Sequence, residues 1–265
     1  MNSPLPTCPR VNVLGVGISA LNRPLAVKLV VEAVQRRQRG YICVTGVHGV
    51  MESYDDEQVR AIHNRALLVT PDGMPMVWVG KLQGHREMGR VYGPDLMLDV
   101  CEASGRHGFR HFFYGGSRGA AEELRQRLTR RFPDLHVVGT FEPPFRPLDP
   151  QEEQSLIQQV DAVAPDILWV GLSTPKQEKF MAEYLAKLKV TLMFGVGAAF
   201  DFHAGRVPQA PAWMQRSGLE WFYRLGREPR RLWKRYLRNN PRFVCLVAAQ
   251  LLGLRKYSLE ESPPR

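Results

Sequence analysis

Carboxylates, amides and cationic side chains collect just after the short apolar runs of this sequence. Pro71-Asp72-Gly73 follows the run 66–70, and a carboxylate at a strand end is the expected general base for deprotonating a hydroxyl. The tripeptide is equally a strong turn former, so a turn without chemistry is the other reading. In Gly89-Arg90-Val91-Tyr92-Gly93-Pro94-Asp95, Arg90 can hold a phosphate oxygen, while Asp95 can simply serve a helix start. Tyr114-Gly115-Gly116-Ser117-Arg118-Gly119 sets two glycines where backbone amides and a helix N-terminus suit an anion such as a pyrophosphate; a plain turn needing positive φ explains them as well. In Ser173-Thr174-Pro175-Lys176-Gln177-Glu178, capping accounts for Thr174, Pro175 and Glu178, but not for Lys176 and Gln177, which suit sugar or phosphate hydrogen bonding. Phe194-Gly195-Val196-Gly197-Ala198-Ala199-Phe200-Asp201 again couples a strand end to glycines and a carboxylate.

The elements that must position these groups follow a strand–helix rhythm. Strands are expected at 11–16, 41–45, 66–70, 109–114, 135–139, 167–171 and 191–196, with helices at 24–39, 119–131 and 175–188. This spacing predicts an α/β fold, a Rossmann-like and mainly parallel sheet with helices on both faces, whose ligands bind at the carboxyl ends of the strands. Gly15-Val16-Gly17 lacks the third glycine of a dinucleotide fingerprint and reads as a tight strand-to-helix turn. After Gly195 the rhythm stops. Helical patterns near 210–226, 229–239 and 241–253 follow, with Pro211, Pro229 and Pro241 as start signals. The expected division is a catalytic-type body, 1–205, and a basic helical appendage, 206–265, whose last residues, 260–265, read as a frayed end.

With 265 residues, 44% of them hydrophobic, the chain can fill a packed core, which excludes disorder and collagen-like repeats. Four scattered cysteines form neither a disulfide framework nor a zinc site, and the seven histidines show no ligand spacing. No signal pattern opens the chain and its longest apolar stretch, 243–254, is too short to span a bilayer, so a cytoplasmic, non-integral protein is expected. The net charge of +10 is uneven: residues 1–205 hold 23 basic and 22 acidic side chains, and 206–265 hold 13 and 4. A cationic end on a neutral body predicts an anionic partner: a phosphate, a membrane surface or a nucleic acid.

Taken in order, Thr45, Pro71-Asp72-Gly73, Arg90 to Asp95, Tyr114-Gly115-Gly116, Pro175 to Glu178, Gly195 to Asp201 and Gly218-Leu219-Glu220-Trp221-Phe222-Tyr223-Arg224-Leu225 resemble the bacterial WecG/TagA/CpsF family of glycosyltransferases over about residues 11–240. The resemblance implies inverting, metal-independent and cofactor-free transfer of an N-acetylhexosamine, of the N-acetylmannosamine type, from a UDP-sugar to a polyprenyl-diphosphate-linked sugar in cell-surface or exopolysaccharide synthesis. It implies Asp72 as general base, Thr45, Arg90 and Gln177 along the sugar, and Arg224 and Arg231 at the diphosphate. It also implies that 206–255 docks on the anionic inner face of the cytoplasmic membrane, where aromatic residues interleaved with arginines suit an interface. Teichoic-acid-type members carry Thr-x-Asn where this chain has Thr45-Gly46-Val47-His48, so His48 is the expected substitute for that Asn. A different hexosyl donor, a nucleic-acid-binding role for 206–265 and a nicotinamide site at Gly15 are the competing readings.

Overall fold

The computed structural model describes residues 8–259, and the stretch 260–265 expected to fray lies outside them. In chain order the elements are β1 (Arg10–Val13), β2 (Val16–Ser19), α1 (Arg23–Gln35), β3 (Gly40–Thr45), α2 (Val47–Asp55), α3 (Glu57–Arg65), β4 (Leu68–Pro71) and α4 (Met74–Leu82). They continue with α5 (Gly93–His107), β5 (Arg110–Gly115), α6 (Ala120–Arg131), β6 (His136–Phe141), α7 (Pro150–Val163), β7 (Ile167–Gly171), α8 (Lys176–Tyr184) and β8 (Leu192–Gly195). Four helices end the chain: α9 (Ala199–His203), α10 (Ala212–Arg216), α11 (Glu220–Arg227) and α12 (Pro229–Leu251). The main sheet is parallel, with strand order β4-β3-β8-β7-β5-β6, and helices flank it, which is the expected α/β, Rossmann-like class.

Contacts divide the chain into two compact units, of which the first holds residues 24–43 and 93–208. Its inner strands are buried almost throughout and read as unbroken apolar runs rather than alternating ones, whereas the edge strand β6 is only partly buried. Ile42, Phe113, Trp169 and Phe194 are fully buried, and the parallel register sets Phe113 against Trp169 and Trp169 against Phe194. His111 is the polar member of this layer. Its Nδ1 accepts the Trp169 indole N–H at 2.9 Å, and burial, followed by the nearby His136, pushes its pKa down to about 3.

The second unit holds residues 8–23, 44–92 and, to the end of the described chain, 209–259. Here the structure corrects the expected first strand: 11–16 is a hairpin, β1 pairing antiparallel with β2, and it forms its own two-stranded sheet. Leu14 and Gly15 both have positive φ, 53° and 86°, as a two-residue hairpin turn matching strand twist requires. Gly15-Val16-Gly17 is thus a hairpin, not a strand-to-helix turn, and the nicotinamide reading loses its element. Gln250 grips that turn: its Oε1 accepts the Leu14 N–H and its Nε2 donates to Asn12 O, each at 2.9 Å.

The C-terminal helices also differ from expectation. The stretch 210–226 is broken into α10 and α11, and Pro241 lies inside one continuous helix, α12, instead of starting a new one. An interior proline costs a backbone hydrogen bond. Continuity is favoured because Leu232, Asn239, Phe243 and Val247 form a single buried stripe at helical spacing, and α12 packs on α2. Among the described residues no helix is long and apolar enough to cross a membrane.

The buried His111 makes stability depend on pH. The unfolded chain protonates it near 6.5, the folded chain only near pH 3, so stability falls as pH drops through that window. The slope from this one proton is at most ~1.4 kcal/mol per pH unit. His111→Asn removes the titration, so its urea midpoint should fall less between pH 7 and pH 5 than that of the parent chain; parallel losses would exclude His111 as the source.

Candidate active site

In the second unit, β4 ends at Pro71 and delivers Asp72 to a tightly fixed position. The Asp72 N–H donates to Thr45 O at 3.0 Å, and the Val91 N–H donates to Pro71 O at 2.9 Å. Gly46 leaves room for this approach, since a Cβ there would stand 2.6 Å from Asp72 O. Gly73, at φ 101°, turns the chain into α4, so the carboxylate sits beside a helix N-terminus, where the dipole favours negative charge. Thr45 is buried, and its Oγ1 meets no hydrogen-bond partner among the described residues.

Around Asp72 the unit gathers charge. Arg224, from α11, is half-buried; burial works against its charge, but Tyr236, Tyr92, Glu220 and Asp72 favour it, and the balance raises its pKa. Burial, then Glu220 and Asp72, push the Tyr92 phenol far above its ordinary range, which keeps it protonated. Arg90 binds Glu220 at 3.0 Å, donates to Gln215 Oε1, and lies 4.3 Å over the Tyr92 ring. Thr45, Asp72, Arg90 and Arg224, singled out in sequence, therefore fall in one unit with Tyr92 and Glu220, whose roles the sequence reading missed. Glu220 stands in a motif that the resemblance uses, but nothing local announces its partner Arg90, 130 residues away.

His48 and Arg231 are placed differently. His48 Nδ1 lies 3.2 Å from Asn239 Nδ2 and 3.5 Å from Glu52, so α12 supplies an amide beside the position where Val47 replaces the expected Asn. Arg231 is exposed and pairs with Glu228 at 2.6 Å.

The first unit holds the other predicted residues. The glycine pair is explained by packing: a Cβ on Gly115 would stand 2.8 Å from the Gly171 backbone, and the Gly116 N–H already donates to Gly171 O at 2.9 Å. Just before α6, the Gly119 N–H is taken by Glu142 at 3.0 Å, so a protein carboxylate stands where an anion was expected. Asp201 opens α9 and lies 3.5 Å from the Ser117 hydroxyl. Asp95 opens α5, near His203, whose Nε2 lies 2.8 Å from Pro94 O and whose pKa is lowered, by burial first. Lys176 is exposed, whereas Gln177 and Glu178 are 3% and 1% exposed. The Gln177 Nε2 donates to Glu178 Oε1 at 3.0 Å.

A cleft of about 670 Å³ in this unit, lined by Leu98, Glu123, Arg127, Arg131, Phe202 and His203 among others, contains none of the predicted site residues. No group of three or more His, Cys, Asp or Glu among the described residues could hold a metal ion.

Because Gly46 sets the position of Asp72, Gly46→Ala should lower stability by ~1–3 kcal/mol through overpacking and reduce turnover beyond what lost folded protein explains. Thermal melting with kinetics normalised to folded enzyme tests this; an unperturbed melt and rate would mean that the loop gives way freely.

Comparison with known proteins gives the family. Two curated relatives carry the name N-acetylglucosaminyldiphosphoundecaprenol N-acetyl-beta-D-mannosaminyltransferase. The Bacillus spizizenii protein is 30% identical over 196 residues, 74% of each chain. The one from Bacillus subtilis (strain 168) is 30% identical over 179 residues, 68% of this chain and 67% of the relative. The family model for the WecG/TagA/CpsF glycosyl transferases matches residues 11–257, the span that contains every residue placed above, and the chain belongs to that glycosyltransferase family.

Proposed function

We propose that this glycosyltransferase moves an N-acetylhexosamine of the N-acetylmannosamine type from a UDP-sugar to a polyprenyl-diphosphate-linked acceptor sugar, with inversion and without a metal. The carrying observation is the cluster in the second unit, where the carboxylate Asp72 lies in the field of Arg224, with Tyr92 protonated beside it. The names of the two relatives, which specify an N-acetylmannosaminyl group and a diphosphoundecaprenol acceptor, support the donor and acceptor classes.

In this mechanism the acceptor hydroxyl attacks the anomeric carbon as Asp72 takes its proton. The bond from that carbon to the UDP β-phosphate oxygen breaks, and the electron pair leaves with UDP. Arg224 meets the charge that develops on the diphosphate, as preorganised cations do most effectively in a partly desolvated site. Arg231 joins it by exchanging Glu228 for phosphate. Thr45 Oγ1, buried without a partner, takes a polar group of the sugar, and Arg90 holds that wall through Glu220. In the first unit, taken by itself, Asp95, Asp201 and Lys176 are proposed as donor contacts.

With a lipid-linked acceptor, the proposed location is the inner face of the cytoplasmic membrane. On α12 the exposed Trp233, Leu237, Val244 and Leu251 form a second apolar stripe at helical spacing, interleaved with arginines and lysine, as interfacial helices require.

Release of UDP, measured with a synthetic polyprenyl-diphosphate N-acetylglucosamine acceptor and four donors in parallel, should depend on the acceptor and favour one donor. Donors offered are UDP-N-acetylmannosamine, UDP-N-acetylglucosamine, UDP-N-acetylmannosaminuronate and UDP-glucose; preference for another hexosyl group would move the assignment to the alternative donor. Asp72→Asn should lower kcat by at least ~10²-fold while UDP still binds; a fully active variant removes Asp72 from the role of base.

Replacing Trp233→Ser and Leu237→Ser together should weaken co-sedimentation with anionic vesicles at least about tenfold, with the melting temperature kept. Retained vesicle binding would exclude this stripe as the anchor, and a steeply salt-dependent shift of single-stranded RNA would favour the nucleic-acid reading.

A further inference from the structure

Gln177 and Glu178 form the one pair of adjacent buried polar residues in the first unit that the packing does not explain. Glu178 Oε1 accepts from the Thr174 hydroxyl and from Gln177 Nε2, each at 3.0 Å. With its N–H directed to a carboxylate, the Gln177 amide cannot reverse without setting two acceptors face to face. Its other end, Oε1, is buried and has no hydrogen-bond partner among the described residues. The amide lies against glycine backbone: a Cβ on Gly195 would stand 3.0 Å from Gln177 Nε2, and one on Gly197 would stand 3.4 Å from Gln177 Oε1. A buried carbonyl oxygen left without a donor is costly in an unliganded protein, and a ligand that supplies the donor relieves the cost.

We infer that Glu178 is a positioning residue that fixes the Gln177 amide so that its carbonyl oxygen faces the ligand, and that Gln177 therefore binds a hydroxyl or N–H of the nucleotide-sugar and not a phosphate oxygen. This rests on the UDP-sugar reading above for the identity of the ligand, but not for the clamp itself. A phosphate oxygen needs a donor, and in this arrangement the donor end of Gln177 belongs to Glu178. Thr174 completes the clamp by donating to the same carboxylate oxygen. Glutamine at 178 can still offer an acceptor to Gln177, whereas methionine of similar length cannot.

The test uses Gln177→Met, Glu178→Met, Glu178→Gln and the double methionine variant, each checked by thermal melting. In the full chain without nucleotide, the Gln177 side-chain amide protons, assigned by their absence in Gln177→Met, should exchange slowly with solvent and become fast in Glu178→Met. Calorimetric titration with UDP and with the preferred UDP-sugar should show about three- to tenfold weaker binding in both single methionine variants, the loss of one neutral hydrogen bond. The double variant should bind no more weakly than Gln177→Met alone, and Glu178→Gln should restore most of the affinity. Loss with UDP itself would assign the bonded group to the nucleoside, and loss with the UDP-sugar alone to the sugar. Losses that multiply, a Glu178→Gln variant as weak as Glu178→Met, or amide exchange indifferent to residue 178 would each overturn the inference. Slow exchange in a parent chain that binds neither nucleotide would uphold the clamp and count against the UDP-sugar reading instead.

Discussion

Charge withdrawn from water must be met by opposite charge or by hydrogen bonds, and in the second unit that requirement ties the last fifty described residues to the rest of their unit. Arg90 is largely buried and is satisfied by Glu220 and Gln215, from α11 and α10. Arg224 keeps its charge against burial in the field of Tyr236, Tyr92, Glu220 and Asp72. Taking away one partner of such a set typically costs ~3–5 kcal/mol, because the remaining charge stays desolvated. The α12 stripe on α2 and the grip of Gln250 on the hairpin turn add apolar and polar ties of the same kind. A basic C-terminal stretch that looks like an addition in composition is, by its contacts, a structural member of the unit that carries Asp72.

The parallel strands were legible in the sequence because burial on both faces writes them as plain apolar runs. The hairpin was not, because β1, its two-residue turn and the start of β2 join into what reads as one continuous run, and the reversal shows only in the backbone, where Leu14 and Gly15 have positive φ. Pro241 misled for a related reason: a local start signal was outweighed by a stripe extending from Leu232 to Val247, which is a tertiary fact. In the second unit, the place of Asp72 at the end of β4 follows from its position after an apolar run, whereas Thr45 was singled out only through the family resemblance. Glu220 and Tyr92 were not legible in this way, since what they do depends on partners far along the chain.

The two glycine-rich strand ends show how one sequence pattern can have different causes. Gly115 and Gly116 satisfy the close approach of β5 to β7, and Glu142 already occupies the amide before α6. Gly195 and Gly197 instead leave space for a side-chain amide whose carbonyl is unsatisfied. Glycine spacing alone does not distinguish the cases; the test is whether the polar groups beside the glycines have partners.

At rest the Asp72 cluster balances two guanidinium groups, Arg90 and Arg224, against two carboxylates, Asp72 and Glu220, while Tyr92 stays neutral. Transfer changes that balance in a useful direction. In the proposed mechanism Asp72 loses its charge as it takes the acceptor's proton, and Arg224 would be left with one fewer carboxylate at the moment when the departing diphosphate gains negative charge. A cluster that is balanced before reaction would thus favour an anion afterwards, with no cation having to move in. On this proposal the acid–base group and the electrostatic group act on a single coordinate: proton uptake by the carboxylate strengthens the pull of the guanidinium on the leaving group.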